Sequence, residues 1–272
     1  MTGKLTNGFS HLKAFFSDSA LRSAEEAIAQ LYWMQVKKIG DYQIDTTLYW
    51  EPGAFVSHVN ELLDKDDKEA LYQVQKQFPQ SRAIHGLFDG PCVHRLAEAL
   101  DCTPNQVLIE GPGLFVSRPN DTRLKYKWHS EAHYYPKRRR FLNIWLPVFT
   151  DRTLADGAMT ILPGSHTEHW DFAEYTGFNK DSENKKNHFV QYEIPEKWLA
   201  GYERYNCDSK RGDVILFDRN LVHRSNVNTT DKYSFSIVAR AWTPIDDLTI
   251  SGSMAATPYG GDIGRANLNV ER

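Results

Sequence analysis

Cysteine is scarce in this chain. Its three residues, Cys92, Cys102 and Cys207, are odd in number and form no C-x-x-C pair, which argues against a disulfide framework and against a structural zinc site. Long apolar runs are missing as well: none approaches the ~20 residues needed to span a bilayer, and the opening MTGKLTNGFSHLKAFF lacks the apolar centre of a signal peptide. The sequence therefore reads as cytoplasmic, in a reducing compartment. Charge of one sign is also lacking. With 32 basic and 35 acidic residues the net charge is -3 and the pI about 6.4, so no global field draws nucleic acid or an anionic membrane. Recognition of an anion must come from a local cluster, and the KRRR run from Lys137 to Arg140 is the dense one.

What is present belongs to a folded globular chain. Apolar residues make up 41% and charged residues 25%, and 272 residues suffice for one sizeable core and a single domain. Residues 1–105 read as a mainly helical region. SALRSAEEAIAQLYWMQVKKIG puts Leu21, Ala24, Ala27, Ile28, Leu31 and Met34 at helical spacing, with Gly40 as the stop. HVNELLDKDDKEALYQVQKQF and CVHRLAEALD are two further helix candidates. Residues 106–243 change grammar. QVLIEG, GLFVSR, FLNIWLPVF, AMTILPG, HFVQYEI, DVILFD, LVHRS and YSFSIVARAW are strand-sized runs between turn residues, which predicts an antiparallel sandwich or barrel. PEKWLAGYERY is the exception, a short helix candidate. The tail, 244–272, is too rich in glycine, serine and asparagine to assign.

Three places carry a histidine, one residue, then an acid: His129-Ser-Glu131, His166-Thr-Glu168 and His169-Trp-Asp171. With 10 histidines and 35 acids, chance alone supplies about one such triplet, so context has to separate them. YKWHSEAHYY has the aromatic content of a strand, where residues i and i+2 share a face roughly 7 Å apart and can converge on one ion. PGSHTEHWDF starts in a turn and reads as a loop entering a helix. A site that activates oxygen needs open coordination positions, and two histidines with one carboxylate leave three. In RGDVILFDRNLVHRSNVN a turn and an apolar strand lead to His223. The expected metal ligands are His129, Glu131 and His223.

WHSEAHYYP, FLNIWLPV, DGAMTILPGSH and GDVILFDRNLVHRSNVNTTD, in this order and spacing, resemble the phytanoyl-CoA dioxygenase family of Fe(II)- and 2-oxoglutarate-dependent oxygenases, over about Gly113 to Trp242. The resemblance implies a mainly β fold, a double-stranded β-helix (jelly roll, cupin-like), with helices packed on one side. It places Fe(II) on His129, Glu131 and His223. The family more often has aspartate at the middle position, and glutamate supplies the same oxygen ligand. Halogenating relatives lack this carboxylate, so Glu131 implies hydroxylation of a small-molecule substrate by molecular oxygen, with release of succinate and carbon dioxide. Asp156-Gly157-Ala158 and Pro163-Gly164-Ser165-His166 correspond to structural turns.

One family feature is missing. The distal carboxylate of 2-oxoglutarate calls for a cation, best an arginine, which in the family lies eleven residues after the second histidine; here that position is Ser234. By strand parity Lys232, Arg240 and Arg139 are the candidates to replace it. Ser225 and Trp145 match a co-substrate serine and a pocket indole of the family, and Tyr134 offers a pocket hydroxyl. KRRR is a candidate site for an anionic group on the substrate. The departure at Ser234 keeps open a β-helix protein that binds metal or a small molecule without using 2-oxoglutarate, and a cupin-like metalloenzyme that needs no keto acid.

Overall fold

The computed structural model describes residues 5–39, 52–63, 68–122, 126–135, 140–171, 173–176 and 190–244. Its helices precede most of its strands. After strand β1 (Phe9–Leu12) come α1 (Asp18–Ile39), α2 (Pro52–Leu63), α3 (Lys68–Gln77), α4 (Arg82–Leu87) and α5 (Pro91–Leu100). Where one helix was expected from His58 to Phe78, two form, and residues 64–67 between them lie outside the described residues. In α1, Leu21, Ala24 and Ile28 are buried, but Met34 is exposed and Tyr32 and Trp33 are buried instead. A period of 3.6 carries the stripe from Ile28 to Tyr32, and aromatic rings bury more apolar surface than a methionine does. Pro91 opens α5, and Asp101 closes it in the left-handed region.

The strands that follow are β2 (Leu108–Ser117), β3 (Phe141–Val148), β4 (Thr160–Ile161), β5 (Ala173–Thr176), β6 (Val190–Glu193), β7 (Tyr205–Asn206), β8 (Val214–Asp218), β9 (His223–Arg224) and β10 (Ser234–Trp242). QVLIEG and GLFVSR merge into the single strand β2, because the register against β10 slips between Val238 and Arg240 and Gly111, at φ 56°, takes up the extra length. PEKWLAGYERY is a 3-10 turn followed by β7, and the segment after His166 pairs as β5 with β6 instead of entering a helix. The N-terminal strand β1 escapes sequence reading; it borders β8 as an edge strand.

An antiparallel five-stranded sheet, in the order β1-β8-β3-β10-β2, faces a smaller sheet, β7-β4-β9. Period-two alternation divides the large sheet into two faces. Leu142, Ile144, Leu146 and Val148 of β3, Val214 and Leu216 of β8, and Phe235, Ile237, Ala239 and Ala241 of β10 pack with Ile28, Trp33, Phe55, Leu71 and Leu96 of the helices. The opposite parity turns Trp145, Ile215 and Phe217 toward Ile161, Met159 and Cys207 of the smaller sheet and its flanks. Every residue of β3 is buried because both of its faces are covered. This is a double-stranded β-helix with helices on one side, as the family resemblance implied. No helix among the described residues is long and apolar enough to cross a membrane.

Candidate metal centre

His129 and His223 meet across an isolated antiparallel bridge in which each backbone N–H donates to the other's carbonyl, at 3.0 and 2.9 Å. Two histidines 94 positions apart are thereby pinned opposite each other, with ring centroids 4.2 Å apart and planes tilted by 51°. Glu131 arrives differently from the sequence expectation. It does not continue a strand; it opens a 3-10 turn, Glu131–His133, tied down where the Ala132 N–H donates to the Arg219 carbonyl. The turn replaces strand alternation as the device that swings the carboxylate back toward the imidazoles.

One ligand atom from each of His129, Glu131 and His223 lies within 4.8 Å of the others. Glu131 Oε1 stands 3.6 Å from His129 Nε2 and 3.8 Å from His223 Nε2. Both rings are aimed from behind: His129 Nδ1 donates to the Lys127 carbonyl at 2.6 Å and His223 Nδ1 to the Leu221 carbonyl at 2.9 Å. With each Nδ1 carrying the proton, each Nε2 presents its lone pair to the centre, as a metal ligand must. Burial, with His129 alongside, pushes His223 down to about 3, so it stays neutral at physiological pH. Burial alone would raise the Glu131 carboxyl; the Arg240 guanidinium and the two histidines outweigh it and hold it far below the usual carboxylate range. Two imidazole nitrogens from buried histidines and one oxygen of the partly buried Glu131 carboxylate form a donor set that fits Fe(II).

The second carboxylate oxygen is occupied. Arg240 donates to Glu131 Oε2 at 2.6 Å through Nη2 and 3.2 Å through Nε, and its guanidinium lies 4.6 Å from the Tyr135 ring centroid. Of the three cation candidates, then, Arg240 reaches the centre itself, Lys232 stands exposed in the loop before β10, and Arg139 lies outside the described residues. Lys232 precedes β10, which begins only at Ser234, so strand parity does not extend to it. The KRRR cluster lies outside the described residues except for Arg140, which is exposed. Trp145 is buried on the inner face, between Ile215 of β8 and Val238 of β10. Tyr134 stands edge-on to His129, with centroids 5.7 Å apart, and Ser225 is half-buried just past His223. His166 does not join the cluster; it abuts Gly8, where a Cβ would fall 2.5 Å from His166 Nδ1.

Two inner-face residues were not anticipated. Asn143, of the same parity as Trp145, is buried and its Nδ2 has no partner. Arg152 is buried just past β3, its Nη1 donating to Ser236 Oγ at 3.1 Å and its Nη2 to Ser117 Oγ at 3.0 Å, with Nε unpartnered. The alternation in FLNIWLPV could have marked Asn143; Arg152 lies in a loop, where no periodicity assigns a face.

Fold and site together define a class, the oxygenases built as a double-stranded β-helix around two histidines and a carboxylate. The chain belongs to the phytanoyl-CoA dioxygenase (PhyH) family, whose profile matches residues 5–234, and it is an oxygenase of that family, whose members use Fe(II) and 2-oxoglutarate. No curated protein sequence matches it. Among solved structures, EctD from S. alaskensis with bound Fe aligns at 16% identity and a TM-score of 0.56 over 89% of this chain and 74% of that one. AviO1 from Streptomyces viridochromogenes Tue57 aligns at 14% and 0.51 over 89% and 92%. EvdO2 from Micromonospora carbonacea var. aurantiaca complexed with 2-oxoglutarate aligns at 15% and 0.50 over 88% and 87%, while a further EvdO2 structure is spanned over 62% of its length. At these identities the likeness is one of fold.

Proposed function

We propose that the chain is a cytoplasmic Fe(II)- and 2-oxoglutarate-dependent hydroxylase of a small-molecule substrate, with His129, Glu131 and His223 as iron ligands and succinate and carbon dioxide as co-products. The observation that carries this reading is the convergence of His129 Nε2, His223 Nε2 and Glu131 Oε1 inside a PhyH-family β-helix. Bound iron with the keto acid supplies the oxidising power, by coupling decarboxylation to the reduction of oxygen. The protein's residues orient and shield. The Lys127 and Leu221 carbonyls set both imidazole tautomers, and Arg240 occupies Glu131 Oε2, so that Oε1 is the carboxylate oxygen that would hold Fe(II) together with the two Nε2 atoms. Phe217, whose ring lies 4.8 Å from that of His223, and Trp145 keep the inner wall apolar and water-poor. A carboxylate at position 131 leaves no vacancy for a halide, which favours hydroxylation. An anionic substrate group would find its cations in the Lys137–Arg140 run.

The test is direct. Adding Fe(II) and 2-oxoglutarate without oxygen should produce a visible charge-transfer band, and admitting air should yield succinate. Iron binding without a band would remove 2-oxoglutarate from the account. A second reading, a β-helix that binds metal or a small molecule without the keto acid, draws on Ser234, which stands where the family carries its anchoring arginine. Lack of iron uptake would favour it.

A further inference from the structure

Building on the 2-oxoglutarate reading above, we propose that Arg152 receives the distal carboxylate of the co-substrate, in place of the cation that position 234 lacks. Ser234 is committed elsewhere: its hydroxyl donates to the Asp156 carbonyl at 2.8 Å. The guanidinium of Arg152 stands beside it all the same. Nη2 is held by Ser117, the cross-strand register partner of Ser234, and Nη1 by Ser236, two residues along β10 on the same face. A loop residue thus delivers a cation to the patch of inner wall next to position 234. Its backbone is locked for the purpose by an antiparallel bridge to Ser209, with both N–H···O contacts at 2.8 Å.

The electrostatics call for an anion there. Arg152 is only 1% exposed, and among the described residues no carboxylate lies within ion-pair distance of it; Asp156 acts on it only from farther off. Two serine hydroxyls accept from it but do not neutralise it, and a buried charge with no counter-charge in contact is disfavoured. Burial pulls the guanidinium down to about 10, so it remains protonated at neutral pH. Nε has no partner, and of the five donors of a guanidinium only two are engaged, which leaves enough for a bidentate carboxylate.

The wall leading from the metal centre to Arg152 suits a short diacid. Asn143, opposite Arg240 and Phe217 in register, carries another unpartnered buried donor. Trp145 follows one two-residue step along β3, about 7 Å. The Arg152 guanidinium carbon lies 6.0 Å from the Trp145 ring centroid. An amide donor near the ligands, an indole face and then a guanidinium match a molecule with a carboxylate at each end and methylenes between.

The experiment is an anaerobic titration of the Fe(II)-loaded protein, read at the chelate band, with 2-oxoglutarate and with 2-oxobutyrate, which keeps the keto acid end and lacks the distal carboxylate. Arg152→Met should bind 2-oxoglutarate roughly 100-fold more weakly, the usual result of removing one partner of a buried charge pair, with 2-oxobutyrate binding and iron stoichiometry unchanged. Without keto acid this variant should melt no lower than the wild type, since an uncompensated buried cation has been replaced by an apolar chain, and 2-oxoglutarate should no longer raise its melting temperature. Equal 2-oxoglutarate affinity in the variant and the wild type overturns the role of Arg152 and leaves the hydroxylase reading standing. A wild type that binds iron but gives a band with neither acid overturns both. If Arg152→Met does not fold, Arg152→Lys decides: weaker 2-oxoglutarate binding with 2-oxobutyrate unchanged supports the assignment, and unchanged affinity for both overturns it.

Discussion

Arg240 and Glu131 share a single carboxylate oxygen: Oε2 accepts from Arg240 Nη2 at 2.6 Å, while Oε1 of the same group faces both histidine Nε2 atoms. The pair divides the carboxylate into a half that faces the two imidazoles, where it would bind a metal, and a half that is anchored. Replacing Arg240 by leucine should weaken metal binding by roughly 10- to 100-fold, as loss of a partner behind a ligand generally does. Arg240→Lys should recover part of it. Titration with Co(II), followed by its ligand-field bands, reads both variants; unchanged affinity in Arg240→Leu would show that Glu131 needs no anchor.

Removing an imidazole is a harsher change. His223→Ala should abolish stoichiometric Fe(II) binding, whereas His166→Ala, from the rival triplet, should retain it. Far-ultraviolet circular dichroism checks that both variants keep their strands. Iron uptake by His223→Ala would dismantle the proposed centre.

Glu25 of α1 is buried and accepts from Arg211 Nε and Nη2, both at 2.7 Å, and from the Phe149 N–H at 2.6 Å. Phe149 holds a φ of 68°, a left-handed backbone that a bulky residue adopts only under constraint. The Glu25→Ala variant should therefore lose about 3 kcal/mol in urea unfolding, the scale expected for a broken buried ion pair. Arg211→Ala should cost less, because that guanidinium is half-buried, and the double variant should fall short of the sum.

Asp213 joins the N-terminal strand to the start of β8, accepting from the Ala14 N–H at 2.9 Å, Lys13 Nζ at 3.0 Å and the Lys210 N–H at 2.9 Å. Burial works to raise its carboxyl, and these donors outweigh it and hold it below its ordinary value of 3.8. A lowered folded-state value stabilises above the unfolded one and is lost as pH falls through the folded one. Asp213→Asn should be less stable than the wild type near neutrality, and the difference should shrink once pH drops below 3.8. Urea melts across that range measure it. A difference independent of pH would mean that the carboxylate charge contributes nothing.

Much of the site was legible because it is written in local chemistry. His129 and Glu131 stand two apart in an aromatic segment, and His223 follows an apolar strand, so residue type and spacing marked them. The two-residue period, applied to the strand-sized runs FLNIWLPV and YSFSIVARAW, matches the two faces that β3 and β10 present. The same alternation does not reach Lys232, which precedes the strand, nor Glu131, which approaches the histidines by a turn.

By itself the sequence determined which groups are available and on which face of a strand each one lies, because side-chain chemistry and the two-residue period are properties of a short segment. Only the tertiary structure decided which of them meet. Arg240 lands on Glu131 across 109 positions, and Arg152 is threaded between Ser117 and Ser236 from a loop without periodicity. Such meetings depend on how one sheet closes over another and on where a chain turns, and the energy of a buried charge is settled by what surrounds it in space, which no local pattern encodes.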